Sequence, residues 1–299
     1  MYNEIMPKHT QSLHFKDLHK KWTSRHRHLQ KNLWERHKDS LQDFYDSSKN
    51  LAISSLASIL LLAHPASASI LAQGLEPVQQ TPNETPAEKR AKLIETLKQF
   101  LPGEKDPLSE EQENNIAQIL TDYFGIQVIP QLTGHRLNRS YGIIGAEQHL
   151  MRYPGDSMAS HFDTPEERIY WSSGMAPGRG AWGYFAPSKE EMTEQDKLRE
   201  KYYIAVQTFL SPGWQGNVKE HYDFFRYRKM LVVNPENGKA IVADIGDAGP
   251  AQWTGKHLGG SPEVMSCLER QDGSLKGPVL YFFIVDPEDK VTLGPVKPL

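Results

Sequence analysis

The chain has 299 residues, enough for one or two domains and an ample core. A formal net charge of -3 excludes a global nucleic-acid-binding signature, and 38% hydrophobic with 24% charged residues is ordinary for a soluble protein. Cys267 is the sole cysteine, which excludes an intrachain disulfide and any Cys-based metal site. Residues 1–50 hold ten Lys/Arg against six Asp/Glu and form a basic leader. Residues 10–48 read as an amphipathic helix, with Leu18, Trp22, Leu29, Leu33, Leu41 and Phe44 spaced among charges. His9, His14, His19, His26, His28 and His37 fall here at irregular spacing, as expected of a solvated basic helix rather than a metal site. Residues 51–63, LAISSLASILLLA, are an uncharged apolar run followed by Ala66-Ser67-Ala68. A basic region, a short apolar core and an Ala-x-Ala site read as a secretory signal cut after Ala68, spanning 51–68. An uncleaved membrane anchor through 51–63 and a buried helix of a soluble protein are the alternatives. Residues 69–90 have the Pro, Gln and Glu content of a disordered linker.

The remaining 91–299 read as one α+β domain. Residues 91–100 form a helix. Ser109-x-x-Gln112 is a capping box that opens a second, with Ile116, Ile119, Leu120 and Tyr123 on its apolar face and Gly125 at its end. Residues 126–132 read as a short strand. Ser188-x-x-Glu191 caps a helix running to about Lys201, and 202–210 is a β-branched and aromatic strand. Residues 215–228 are helical. The runs 230–233 and 240–245 flank Asn237-Gly238 and form a hairpin. The second run leads into Gly246-Asp247-Ala248-Gly249-Pro250, where glycines and proline are expected to stop the strand and expose Asp247 on a tight loop. A helix opens at Ser261 with Pro262 at its first position, and 279–285 is apolar throughout, hence a strand buried on both faces.

The order of strand, Asn-x-x-Asn-Gly, strand, Asp247-Ala248-Gly249-Pro250 and a helix opening on Ser261-Pro262 resembles the double-psi β-barrel of the rare lipoprotein A and expansin-like family. The likeness covers about 60 residues of the C-terminal part. It implies an α+β fold with a small double-psi-like β-barrel core, about 183–299, its first strands near Gly183 and Tyr202 and its helical insertions outside the barrel. It also implies an acid at Asp247 that acts on glycan. Ala248 stands where the family carries Arg, and Gly259-Gly260-Ser261 stands where it carries Asp-Leu-Ser, so a second family acid is missing.

Three further groups bear on chemistry. Residues 140–162 bring together Glu147, His149, Arg152, Asp156 and His161. Glu147 and His149 would share one side of an extended segment, and a carboxylate beside an imidazole tunes it for proton transfer. They stand as catalytic candidates with Asp247, and His161 and Asp156 as secondary ones, against a structural hydrogen-bonding role. Trp182, Tyr184, Trp214 and Trp253 offer faces for sugar rings, and Lys256 and His257 offer donors beside them. Asp244, inside the strand, has a fold-stabilising role, and Cys267 reads as a packing residue. His149, Asp156, His161 and Asp247 have suitable zinc donors, but no H-E-x-x-H run supports a metal, and no cofactor is called for. The expectation is an exported envelope protein, secreted or membrane-anchored, acting on peptidoglycan by lytic transglycosylase-like cleavage. A non-catalytic glycan-binding or wall-loosening module is the alternative. The partner is peptidoglycan or another glycan, not nucleic acid.

Overall fold

The computed structural model describes residues 84–102, 106–270 and 276–299. The basic leader, the signal-like run and most of the linker lie outside these residues. Two helices come first. Helix α1 (Pro86–Lys98) is opened by Thr85, whose hydroxyl caps the Glu88 amide while the Glu88 carboxylate accepts from the Thr85 amide. The expected linker therefore ends before residue 85, because this capping box was read as linker composition. Helix α2 (Glu110–Phe124) has the expected Ser109/Gln112 box and stops at Gly125, whose φ of 68° places it in the left-handed region.

The chain then builds a six-stranded mixed β-barrel. The small strands β1 (Val128–Ile129), β2 (Gln131–Leu132) and β3 (His135–Arg136) precede it. The single strand expected over 126–132 is broken at Pro130, which lacks an amide hydrogen: β1 pairs with a barrel strand and β2 with β3. The barrel strands are β4 (Tyr141–Ala146), β5 (Tyr203–Val206), β6 (Lys229–Val233), β7 (Ala240–Ala248), β8 (Leu258–Gly260) and β9 (Lys276–Ile284). Around the barrel the order is β9-β4-β8-β5-β7-β6 and back to β9, with β4/β8 and β5/β7 parallel and the other pairs antiparallel. A last strand, β10 (Gly294–Val296), edges β7. The first barrel strand is thus β4, not a segment at Gly183. There the glycines make a turn instead: the Gly183 amide donates to Gly180 O at 2.9 Å with Gly183 at φ 86°.

Two cores hold the barrel. Met230, Val232, Ile241, Ala243, Ile245, Val279, Tyr281 and Phe283 point inward with Ile144, Ile204 and Val206. The alternate residues Leu231, Val233, Val242, Leu280, Phe282 and Ile284 point outward against Leu93, Leu97, Ile116 and Leu120 of α1 and α2. Side chains alternate along a strand, so β9 is apolar at every position because each of its faces meets a different core. Removing one such ring, as in Phe282→Ala, costs about 3–5 kcal/mol.

The remaining helices are α3 (Met158–His161), α4 (Glu194–Lys201), α5 (Val218–Phe225) and α6 (Pro262–Cys267). The expected Ser188/Glu191 cap does form, at 3.2 Å, but only closes a turn. Helix α4 begins later, because Thr193 and Asp196 make a second box whose paired bonds are 3.0 and 3.1 Å. Helix α6 has the expected Ser261 cap and Pro262. No helix of the described residues is long and apolar enough to cross a membrane.

Candidate functional site

Asp247 lies inside β7, not on a loop after it. The parallel register between β5 and β7 shifts at Ile204/Ala205: Ile204 pairs with Ile245, and Ala205 pairs with Asp247. Gly246 is the extra residue of this bulge, and a Cβ on it would meet Tyr203 Cβ at 2.6 Å. The glycine that was expected to end the strand instead lets it bend and continue. Asp247 is half-buried. Its Oδ1 accepts from the Ala181 amide at 2.7 Å and from its neighbour Ala248 at 2.8 Å. Burial nevertheless pushes its carboxyl up, against those two amides, and the Glu147 charge adds to the rise.

Across the strands from Asp247 runs a row of small residues. Asp247 pairs with Ala205, Ala205 with Gly259, and Gly259 with Gly145. Their neighbours Ile204, Val206, Leu258 and Ile144 fill the barrel, so this row faces outward. Ala205, Gly259 and Gly145 are themselves buried. Two charged side chains lie over the floor: a Cβ on Gly259 would meet Glu147 Oε1 at 2.4 Å, and one on Gly145 would meet Lys256 Cδ at 2.3 Å. Lys256 Nζ is ion-paired to Glu147 and also donates to Ala146 O at 3.1 Å.

Of the residues singled out in the sequence, Asp247, Glu147 and Lys256 come together here. Trp253 follows on a short 3-10 turn and is 88% exposed, the barest large apolar side chain among the described residues. Trp182 does not serve as a sugar platform: it is 8% exposed, packs into the barrel core and donates its indole N–H to Tyr222 O at 3.0 Å. Tyr184 is half-buried with the Arg179 guanidinium 5.6 Å over its ring. Trp214 packs against the barrel core as well. His257 is no free donor to a ligand. Its Nδ1 accepts the Ile143 amide at 3.0 Å, and its Nε2 lies 3.0 Å from the Arg139 guanidinium.

His149 belongs to a second, buried group. Glu147 and His149 were expected to share one side of a strand, but β4 ends at Ala146, so the strand alternation does not extend to them. His149 is fully buried, with its ring 4.7 Å from that of His161. His161 Nδ1 lies 2.9 Å from Asp156 Oδ2, and its Nε2 lies 3.1 Å from Glu200 Oε2. Glu200 Oε1 accepts the Leu150 amide at 2.9 Å. The Arg152 guanidinium and amide both reach Asp156 Oδ2. Burial opposes charge on all three titrating groups, and the contacts win. Asp156 and Glu200 are held down to about 2, and His161 is raised to about 9 by its two carboxylate partners. Glu200 was not singled out in the sequence. In the run Glu194-Gln195-Asp196-Lys197-Leu198-Arg199-Glu200-Lys201 it looks like one more solvated charge.

Two lone groups complete the picture. Asp244 is 1% exposed, with Arg199 Nε at 3.4 Å, and burial pushes its carboxyl up to about 7. The Cys267 thiol is pushed up by burial to about 11, which fits packing and not nucleophilic attack. The chain matches no family model, no curated protein and no solved structure.

Proposed function

We propose that this is an exported protein of the cell envelope that cleaves peptidoglycan glycan strands, with Asp247 as the acid and base of a lytic reaction. The observation that carries the reading is the outward row of small residues across β4, β8, β5 and β7 that ends in a half-buried Asp247 with a raised pKa. A barrel face floored by glycine and alanine lets a ligand approach the backbone closely once the Glu147 and Lys256 side chains move aside, and a carboxyl raised by burial keeps its proton to higher pH than an ordinary aspartate, as a general acid must. The two parallel strand pairs and the closed six-strand order support a double-psi-like barrel, the fold that the Asp247-to-Pro250 motif resembles.

Asp247 would protonate the glycosidic oxygen as the bond to the anomeric carbon breaks. The resulting carboxylate would then take the proton of the sugar's own 6-hydroxyl as that oxygen closes on the same carbon. One carboxyl suffices, and the product is an anhydro sugar. Glu147 supports the role from beside it. In the resembled family an acid stands at the position of Gly259, and here the Glu147 carboxylate fills the space above that glycine. Its negative charge favours the protonated Asp247, and the ion pair with Lys256 holds Glu147 in place.

The second reading, a glycan-binding module without catalysis, is favoured by Trp253, whose bare face beside the row suits a sugar ring. Intact peptidoglycan incubated with wild type and with Asp247→Asn separates the two. Anhydro-ended fragments released by the wild type and lost in the variant establish lytic cleavage. Reducing-end fragments mean hydrolysis with a second acid. No release, with both proteins pelleting on the sacculi, leaves the binding module.

A further inference from the structure

We propose that His149, His161 and Glu200 form a buried site for a divalent transition-metal ion of the zinc class, with Asp156 orienting His161 from behind. One donor atom from each of the three residues lies within 4.8 Å of the other two, and all three residues are buried. His149 Nδ1 is 3.4 Å from Glu200 Oε1, and His161 Nε2 is 3.1 Å from Glu200 Oε2. Donors bound tetrahedrally to one zinc at about 2.0–2.1 Å stand about 3.3 Å apart; the two histidines approach different oxygens of Glu200 and the donor set lies within 4.8 Å, so the side chains close inward on the ion.

A metal-free account of the cluster is incomplete. A doubly hydrogen-bonded His161 satisfies Asp156 and Glu200. It leaves both ring nitrogens of His149 with no hydrogen-bond partner, since the 3.4 Å approach to Glu200 lacks hydrogen-bond alignment. Burying an unpaired polar group is costly, and a neutral imidazole nitrogen is also the commonest metal ligand. Glu263 Oε2 is unpartnered too, on a side chain that is 7% exposed. It lines a cavity of about 30 Å³ together with His161, Glu200, Arg152, Asp163 and Lys197. That volume is room for one water-sized occupant beside the cluster.

The supporting shell has the form that metal sites use. His161 turns Nδ1 to the Asp156 carboxylate and Nε2 toward the other donors, and Arg152 holds Asp156 in turn. A carboxylate behind a ligating histidine fixes its ring and tautomer. On loading, the ion takes the place of the proton on His161 Nε2, which leaves to solvent. Two imidazoles and one carboxylate leave a fourth position open on the cavity side, within reach of Glu263.

The test separates this site from the six leader histidines. A full-length chain carrying H9Q, H14Q, H19Q, H26Q, H28Q and H37Q is titrated with Zn²⁺ against a chromophoric chelator. It is expected to take up about one equivalent and to gain thermal stability with the metal. No uptake overturns the proposal. The same chain with His149→Ala is expected to lose that equivalent and the shift in Tm; unchanged uptake in this variant overturns the assignment equally. X-ray absorption of the zinc-loaded chain with intact core reads the donors without any substitution in the cluster. Two imidazoles and carboxylate oxygen are expected, and a shell without paired imidazoles rules the site out.

Discussion

The two groups of ionisable side chains differ in what holds their charges. At the barrel face, Asp247 and Glu147 depend on backbone amides and one flexible lysine, and both are partly open to water. In the buried group, the carboxylates of Asp156 and Glu200 are neutralised by His161 and Arg152, and each of the four is 5% exposed or less. The first arrangement leaves a carboxyl free to change its protonation at little structural cost. The second makes every member a condition for the others.

The comparison is broken most sharply by Glu200→Gln. It leaves His161 and the Leu150 amide against a neutral group in a buried site, and it is expected to cost about 3–5 kcal/mol in chemical denaturation. Asp247→Asn, by contrast, is expected to stay within about 1 kcal/mol of wild type. Equal losses for the two would erase the distinction.

A pH series sharpens it next. The folded pKa of Asp244 is about 7 against an ordinary 3.8, because burial outweighs the charges of Arg199 and Lys229, and Asp289 adds to the rise. The folded protein therefore holds a proton that the unfolded chain releases. Its contribution to stability is complete below about pH 4 and is lost as the pH rises through about 7. Asp244→Asn is expected to flatten the dependence of stability on pH across that window; an unchanged slope would show that Asp244 is charged in the fold.

Gly259→Ala probes the floor of the barrel face. The added Cβ would press on Glu147 from its carboxylate back to Cγ, so that side chain and its ion pair with Lys256 must shift, and stability is expected to fall by about 1–3 kcal/mol. Glycan release is expected to fall about 10-fold, or about 1.4 kcal/mol in the barrier. A full-activity variant would remove Glu147 from the site. The smallest expected effect is that of Trp253→Ala. Stability should stay within about 0.5 kcal/mol, while pelleting on sacculi weakens. Unaltered pelleting would dismiss the exposed indole as a sugar platform.

Much of the frame was legible because the signals are local. Ser109/Gln112, Gly125, the Asn-Gly hairpin and Ser261-Pro262 each act within a few residues, and each is found where the sequence places it. What could not be read depends on distant partners. Gly246 looked like a strand stop, yet the shift in register against β5 makes it a bulge. Trp182 looked like a face for a sugar ring, yet its ring is claimed by the barrel interior. Glu200 is masked by five charged neighbours on its own helix. Only the fold brings His149 and His161, about 40 to 50 residues earlier in the chain, onto it.

Strand β9 carries a consequence of its double burial. Where one face of a strand is wet, a slip of one residue would expose apolar side chains and is penalised. In β9 a slip would only trade Val279, Tyr281 and Phe283 for Leu280, Phe282 and Ile284, so hydrophobicity says little about alignment. The alignment is written elsewhere. Arg270, 5% exposed, donates to Pro278 O at 2.6 Å and to Asn234 Oδ1 at 2.7 Å, and its guanidinium fills the space over Gly277. One arginine before the strand thus acts as its ruler, tying the start of β9 to the turn that follows β6.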